Sequence, residues 1–527
     1  MRFASMSGLV LFAIGIFALA GGCHLIVGIR DAEPYPPDGG AGGAAACTPE
    51  QTQDCYGGPE QTRGVGACKA GTQTCQVDGE WGPCEGEVLP GTEDCSQPED
   101  EDCNGYACSE TLWVKQFGDP STEAYSEDVA VDPLTGDIYF TGYFSGTLTM
   151  GAATLGSQGD GTAAFLAKFD RDGKPLWSKQ VGELDGSYTR SATVAVDRDG
   201  NVLLVGATST TLSLGGDELP AGVFVGKFDS SGQHLWSMAC HSVGQAYRHV
   251  HGAVDPTSGD VILGGYFGMG SLTCGNISLT GSSEVFVARL AALDGSVIFA
   301  NAFSGAGNDF MFGVAVDEQG SISVAGNGSG LGFGGPLLTG GYVVKLASNG
   351  SHVWSKPIGD GGPHAIAYDA AGGLAVTGRG DAIGVLNFGG RDLVPIGQND
   401  LFVARWDESG NYMWSRRFGS PGANGSGGTD VTIDSQGNLA VTGLVWGNVP
   451  IDGVILTGDS NAFVTKFDAF RKAAWSRTFG ADEAYSVAFS SLNELVVAGQ
   501  SIVAVDFGEG LVNPVGASDL FLLKIAP

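Results

Sequence analysis

From residue 112 onward the chain is a succession of short apolar runs interrupted by Asp and Gly, and three of these runs recur. The first is built on tryptophan. It reads Leu112-Trp113-Val114-Lys115-Gln116-Phe117-Gly118 and returns at Trp177, Trp236, Trp354, Trp414 and Trp475, with Phe299 in the Trp position of a further copy. The second reads Val-Ala-Val-Asp-x-x-Gly and starts near Val129, Val194, Ala253, Val314, Ile366, Val431 and Val487. The third reads Phe-Val-Ala-Lys-Phe-Asp, near Phe165, Phe224, Phe286, Tyr342, Phe402, Phe463 and Phe521. Each element counts seven, and a long internal period of this kind means a solenoid, a propeller or an array.

Each unit predicts four short strands. In the first unit they are Val129 to Asp132, Ile138 to Gly142, Phe165 to Phe169 and Leu176 to Val181. Strands one and two are joined by turns such as Asp197-Arg198-Asp199-Gly200, and strands three and four by turns such as Asp170-Arg171-Asp172-Gly173. Asp opens such a turn through its side chain and Gly supplies the positive φ. Tight links force antiparallel meanders, and four-stranded meanders repeated radially are propeller blades. The repeat region opens with a fourth-type strand at Trp113 and ends with a third-type strand at Phe521-Leu522-Leu523-Lys524-Ile525. Those two are hairpin partners elsewhere, so their pairing would close a ring and remove a sheet edge. The expectation is an all-β chain: a seven-bladed β-propeller of four-stranded antiparallel blades over residues 111–527. This order of elements resembles the NHL and related bacterial propeller repeats, from which it departs in its longer segments between strands two and three.

Glycine is abundant (87 residues) and charged residues are sparse, at 16%. The net charge of −32 disfavours nucleic acid as a partner, because phosphate backbones repel it. At the N-terminus Arg2 precedes an apolar stretch from Leu9 to Ala20, and small residues lead to Cys23. This is the pattern of an export signal over residues 1–22. The run Ala20-Gly21-Gly22-Cys23 resembles the lipobox of bacterial lipoproteins, with Ala20 where that family has Leu. The resemblance implies acylation of Cys23, attachment to the outer membrane or cell surface through lipid alone, and a bacterial source. An uncleaved anchor is the rival reading, since no charged side chain occurs from Phe3 to Ile29. Residues 23–46, rich in Pro, Gly and Ala, read as a tether.

Eight of the eleven cysteines fall in residues 47–110: Cys47, Cys55, Cys68, Cys75, Cys84, Cys95, Cys103 and Cys108. An even count in a short exported segment predicts disulfides of underivable connectivity. Structural zinc is the alternative; it needs tight Cys pairs, and the closest spacing here is Cys103 to Cys108. The same segment holds 14 Asp and Glu against Arg63 and Lys69. Its stretch Glu93-Asp94-Cys95 to Asp102-Cys103-Asn104-Gly105 resembles an Asp-rich metal-binding repeat of bacterial surface proteins, with Ser96 in place of an Asp. The resemblance implies Asp94, Glu99, Asp100, Asp102 and Asn104 as ligands for Ca²⁺, a cation that takes six to eight oxygens. A solvated acidic loop is the plain reading.

Within the repeats, alternating strand direction puts the tight Asp turns on one face and the strand-two-to-three segments on the other. The latter are 143–164, 207–223, 266–285, 327–341, 379–401, 444–462 and 500–520, and they read as long loops suited to binding. The repeated Trp residues read as packing between blades, and the Lys before Phe-Asp as a solvated strand position. Cys240 and Cys274 predict a further disulfide. His241, His249 and His251 lie nearby and could hold a metal or act as a base. No catalytic set stands out. The leading expectation is a monomeric, non-enzymatic binding scaffold whose partner is a protein or a glycan. A lyase or hydrolase near His241–His251, and a spacer with no specific ligand, are the alternatives.

Overall fold

The computed structural model describes residues 47–91, 103, 111–156, 161–243, 250–422, 425–480, 483–508 and 510–526. Cys23, Cys95, Cys108, His249 and the acidic ligand candidates Asp94, Glu99, Asp100, Asp102 and Asn104 lie outside the described residues.

The cysteine-rich segment holds a two-stranded ribbon, Thr52–Cys55 against Gly71–Thr74, and one 3₁₀ turn at Glu60–Thr62. Disulfides join Cys47 to Cys75, Cys55 to Cys84, and Cys68 to Cys103. Oxidised sulfurs do not ligate zinc, so these six cysteines leave the zinc reading without its ligands. Among its described residues the segment buries almost nothing apolar besides its cysteines. Bridges closing loops of 28, 29 and 35 residues therefore carry its stability, at about 3 kcal/mol each on a chain-entropy account.

The body, from Thr111 onward, is all β and propeller-like. Its innermost strands are β1 (Glu123–Val131), β2 (Thr189–Val196), β3 (Val250–Val254), β4 (Phe310–Val316), β5 (Gly361–Tyr368), β6 (Gly427–Ile433) and β7 (Glu483–Phe489). Each heads an antiparallel meander, as β1 does with Ile138–Ser145, Ala163–Phe169 and Pro175–Val181. The β7 meander is completed across the chain ends, where Asp519–Ile525 pairs on one side with Leu495–Ser501 and on the other with Thr111–Phe117. Each innermost strand lies against the next in chain order, and β7 lies against β1. Their small residues Ala130, Ala195, Ala253, Ala315, Ala367 and Ala488 each pack against the core of the next meander, which permits that close approach.

Neighbouring meanders are tied at the tight-turn end by the Lys of the third repeat. That residue is buried, not solvated: Lys168, Lys227 and Lys345 are 5–6% exposed. Each ammonium meets a turn carboxylate of its own meander: Asp137 at 2.8 Å, Asp197 at 2.8 Å and Asp317 at 2.9 Å. It also donates to a turn carbonyl of the next meander: Ser230, Ala292 and Glu408 respectively. Arg289 and Arg405 take the same place in their units, paired with Asp255 and Asp369. Lys524, paired with Glu494 and donating to the Arg171 carbonyl, carries the pattern from the β7 meander to the β1 meander. The tryptophans work alongside. Trp113, Trp177 and Trp236 donate Nε1–H to the Arg171, Ser230 and Ala292 carbonyls. Trp177 also packs on Gly232, whose φ of 81° suits glycine and where a Cβ would come within 3.2 Å of the indole.

The seven segments expected as long loops are hairpins. Val261–Cys274 with Ile277–Leu290, and Leu439–Ile451 with Val454–Phe467, are continuous extensions of their sheets. Thr147–Met150 pairs with Ala153–Gly156, and Leu212 with Leu219. Their apolar tips are buried between meanders. Leu212, Leu214 and Leu219 pack between Leu166 and Val181 on one side and Phe224 and Phe228 on the other. Leu386, Phe388 and Leu393 repeat the arrangement between Val343 and Phe402. Sheets that radiate from an axis diverge outward, and these hairpins fill the widening gap. At about 2 kcal/mol per buried Leu or Phe they are structural elements, which removes much of the segment length from the surface open to a partner.

Candidate functional site

The convergence of the innermost strands leaves an axial cavity of about 400 Å³. A repeated backbone irregularity shapes its wall. Six of the seven innermost strands slip by one residue against the second strand, at Ser126/Asp128, Ser191/Thr193, Met311/Gly313, Pro363/Ala365, Gly428/Asp430 and Ala484/Ser486. A bulge of this kind re-aims a side chain. Two successive residues per strand therefore line the cavity: Glu127 and Asp128, Ala192 and Thr193, Phe312 and Gly313, His364 and Ala365, Thr429 and Asp430, Tyr485 and Ser486, with His251 and Gly252 from β3.

The second residue of four of these pairs also stitches strand to strand. Asp128 Oδ2 accepts the Val194 N–H at 2.9 Å, Thr193 Oγ1 the Gly252 N–H at 3.2 Å, and Asp430 Oδ2 the Val487 N–H at 2.9 Å. Ser486 Oγ accepts the Val129 N–H at 3.2 Å, which joins β7 to β1. The Ser486 hydroxyl stands 2.8 Å from Asp128 Oδ1 and 2.9 Å from Asp430 Oδ2. One hydroxyl proton cannot serve two carboxylates, so this set is complete only when one carboxyl is itself protonated.

The electrostatics agree. Burial, with the nearby Asp430 charge adding to it, pushes Asp128 up to about 7 against the pull of the N–H donors. Burial pushes Asp430 up to about 6. Glu127 is pushed up to about 8 by burial, with Arg190 opposing and Asp128 and Glu483 reinforcing. Glu127 makes no hydrogen bond or ion pair among the described residues, unlike its two neighbours.

A stability prediction arises here. These acids have folded-state values above their unfolded ones, so the folded chain holds protons that the unfolded chain has released. The stability this confers is present at low pH and is lost as pH rises from about 5 through about 8. The depressed aspartates, such as Asp197 and Asp255, add no slope in this window because they are ionised in both states. At 1.4 kcal/mol per unit, and reduced for partial solvent access, the loss comes to about 2–4 kcal/mol. Urea midpoints at pH 5 and pH 8 measure it. A flat profile, or one that Glu127→Gln together with Asp430→Asn leaves unaltered, would overturn the assignment.

Two positions before the lining residues Glu127 and Phe312 stand the half-buried rings of Tyr125 and Phe310, each with a further ring against it. Tyr125 stacks on Tyr143 at 4.9 Å, and the Arg190 guanidinium lies 4.4 Å from the Tyr143 ring centroid. Tyr266 meets Phe310 edge-on at 5.0 Å, and Phe312 meets His364 edge-on at 6.1 Å.

Of the histidines expected from the sequence, His241 and His251 are not brought together. His251 pairs with Gly264 and lines the cavity, whereas His241 pairs with Thr273 of the same long strand, is exposed, and bonds the Ala221 carbonyl at 2.9 Å. Nine residues along a strand is about 30 Å, so these two residues do not share a site. Cys240 and Cys274 are joined, and that disulfide fastens the outer strand His234–Val243 to the long hairpin of the next meander. Among the described residues no group of three or more His, Cys, Asp and Glu is placed to hold a metal ion. The cavity residues were missed because the innermost strands were expected to begin at the Val of Val-Ala-Val-Asp. The available signal was the residue just before it, which is small or polar in every unit: Asp128, Thr193, His251 before Gly252, Gly313, Ala365, Asp430 and Ser486.

No family model and no curated protein matches this sequence. Among solved structures the chain is similar to the WD40 beta propeller domain of Doa1, at 10% identity and a TM-score of 0.43, over 80% of this chain and 97% of that one. It is also similar to the Neurospora crassa Pan2 WD40 domain, at 11% identity and 0.41, over 78% and 95%. A third likeness is to BamB from Moraxella catarrhalis, at 11% identity and 0.33, over 77% and 99%. At such identities the likeness concerns the fold alone.

Proposed function

We propose that this protein is an exported, non-enzymatic binding scaffold: a closed seven-bladed ring that receives a partner at the aromatic-bordered mouth of its axial cavity. The observation that carries this reading is the cavity itself. It is roomy, its wall is built by six coincident bulges, and it presents one carboxyl, that of Glu127, with no hydrogen bond or ion pair among the described residues. Convergent polar groups in a concave, partly apolar pocket are the usual form of a binding site. The seven hairpins pack between blades, so the cavity mouth is preferred over their tips as the contact surface. The disulfides support an oxidising, extracytoplasmic location. Attachment through acylated Cys23, and Ca²⁺ binding around Asp94 to Asn104, belong to the same reading; mass spectrometry of the mature N-terminus tests the first.

The test of the cavity uses Ala192→Trp, which places an indole in it without touching the stitching bonds. The variant is expected to keep a native melting profile and to lose at least ten-fold in affinity for a partner recovered with the full chain. Unchanged affinity in a folded Ala192→Trp protein would remove the cavity from the binding surface.

A further inference from the structure

We infer that the axial cavity recognises an organic cation: a guanidinium or ammonium group carried on a short aliphatic stem. This rests on the proposed role of the cavity as the binding site and names the chemistry that fills it. Three carboxyls converge there, from Glu127, Asp128 and Asp430. Two are committed to backbone N–H groups of adjoining strands, while Glu127 makes no hydrogen bond or ion pair among the described residues. A cation entering the cavity would take the place of the proton that burial holds on Glu127 near neutral pH, and would gain an opposite charge in surroundings less screened than bulk water.

The mouth is suited to the same chemistry. A guanidinium of the chain itself, from Arg190, already lies 4.4 Å from the centroid of the Tyr143 ring, the arrangement in which an aromatic face attracts a cation. Tyr485 supplies another ring on the cavity wall. The carboxyls are spread over β1 and β6 and do not form a cluster fit for a metal ion, so an extended organic cation matches the wall better than a compact one. The net charge of −32 draws cations toward the molecule at long range.

Isothermal titration of the full chain tests this with four probes: spermidine, a Gly-Arg-Gly peptide, its citrulline counterpart, and N-acetylglucosamine. Binding of spermidine or of the Arg peptide, with the citrulline peptide at least ten-fold weaker, is the expected result. Glu127→Gln should lower the cation affinity at least ten-fold while leaving the protein as stable as the parent or more stable at neutral pH, since it relieves the burial of an ionisable carboxyl that makes no hydrogen bond or ion pair among the described residues. Tyr485→Leu, as a second variant, should lower it several-fold. The Arg peptide binding without spermidine would identify a side chain presented by a protein, and the reverse a free polyamine. Equal binding of the Arg and citrulline peptides, or binding of the sugar alone, would overturn the cation assignment while leaving the cavity a ligand site. Failure of all four probes would overturn it as well, and the Ala192→Trp comparison then decides separately whether the cavity binds anything.

Discussion

A chain that stops at Ser518 is expected not to fold its body at all, although it lacks only the last strand. Asp519–Ile525 is a middle strand, paired with Leu495–Ser501 on one side and Thr111–Phe117 on the other. Leu520, Phe521, Leu522, Leu523 and Ile525 are all buried, at 0–1% exposure. At about 2 kcal/mol each, their loss amounts to about 10 kcal/mol, which matches the whole stability of an ordinary domain. The strand also carries Asp519, whose carboxylate accepts the Val515 and Gly516 N–H groups at 2.7 and 2.9 Å, and Lys524, which reaches the Arg171 carbonyl of the β1 meander. An open solenoid would lose its last repeat and keep the others, because each repeat touches only its neighbours. A ring closed through this strand loses the contact between β7 and β1 and exposes two edges at once. Near-ultraviolet circular dichroism and a thermal melt of the truncated chain distinguish the two. A cooperative melt near the parent midpoint would sink the closed ring, and partial recovery on adding a peptide of residues 519–527 would strengthen it.

The sequence displayed the body unevenly, for physical reasons. The strand count and the Asp-Gly turns were legible because each repeats locally: Asp197 begins its turn by accepting the Asp199 and Asn201 N–H groups at 2.9 Å, bonds that span only two to four residues. The hairpins were misread as loops because their apolar residues are spaced two apart over very few positions, as in Leu212, Leu214 and Leu386, Phe388, and because glycines follow them. Those glycines signal a tip pressed on the sheet: a Cβ on Gly390 would lie 2.3 Å from the Tyr412 ring. The cavity was illegible for a different reason. Glu127 and Asp430 are 303 positions apart, and only the packing of the innermost strands brings β1 and β6 to one cavity. Bulges hide such residues further, since they break the two-residue period by which a strand face is read. His241 and His251 show the converse. They are close in sequence, yet they end about 30 Å apart along one strand.

Lys227→Ala is expected to destabilise the body by about 3–5 kcal/mol at pH 7, the second-largest effect foreseen here. From its repeat position Lys227 looks like an exposed strand residue, but its side chain is 6% exposed and that of its partner Asp197 is 5%. The ammonium lies 2.8 Å from Asp197 Oδ2 and donates to the Ala292 carbonyl of the next meander at 3.2 Å. Removing it leaves a buried carboxylate without its counter-charge, although the Ala292 carbonyl keeps the Trp236 N–H, and breaking a buried pair from one side costs about this much. Burial alone would raise the Asp197 pKa; Lys227 and Asn201 outweigh it and hold the carboxyl below its usual range. A depressed acid contributes stability that is present above its unfolded value and is lost as pH falls through the folded one. In Lys227→Ala the carboxylate can neutralise instead, so the deficit relative to the parent should shrink toward pH 4. Lys227→Met with Asp197→Asn removes both charges while keeping the volume and the turn bonds, and should recover most of the loss. Urea unfolding of the three variants at pH 7 and pH 4 measures both statements. A deficit below about 1 kcal/mol for Lys227→Ala, the cost of an exposed pair, would show that the Lys and Asp repeat is surface decoration; a deficit that the double variant does not relieve would show that the stem of Lys227, and not its charge, joins one blade to the next.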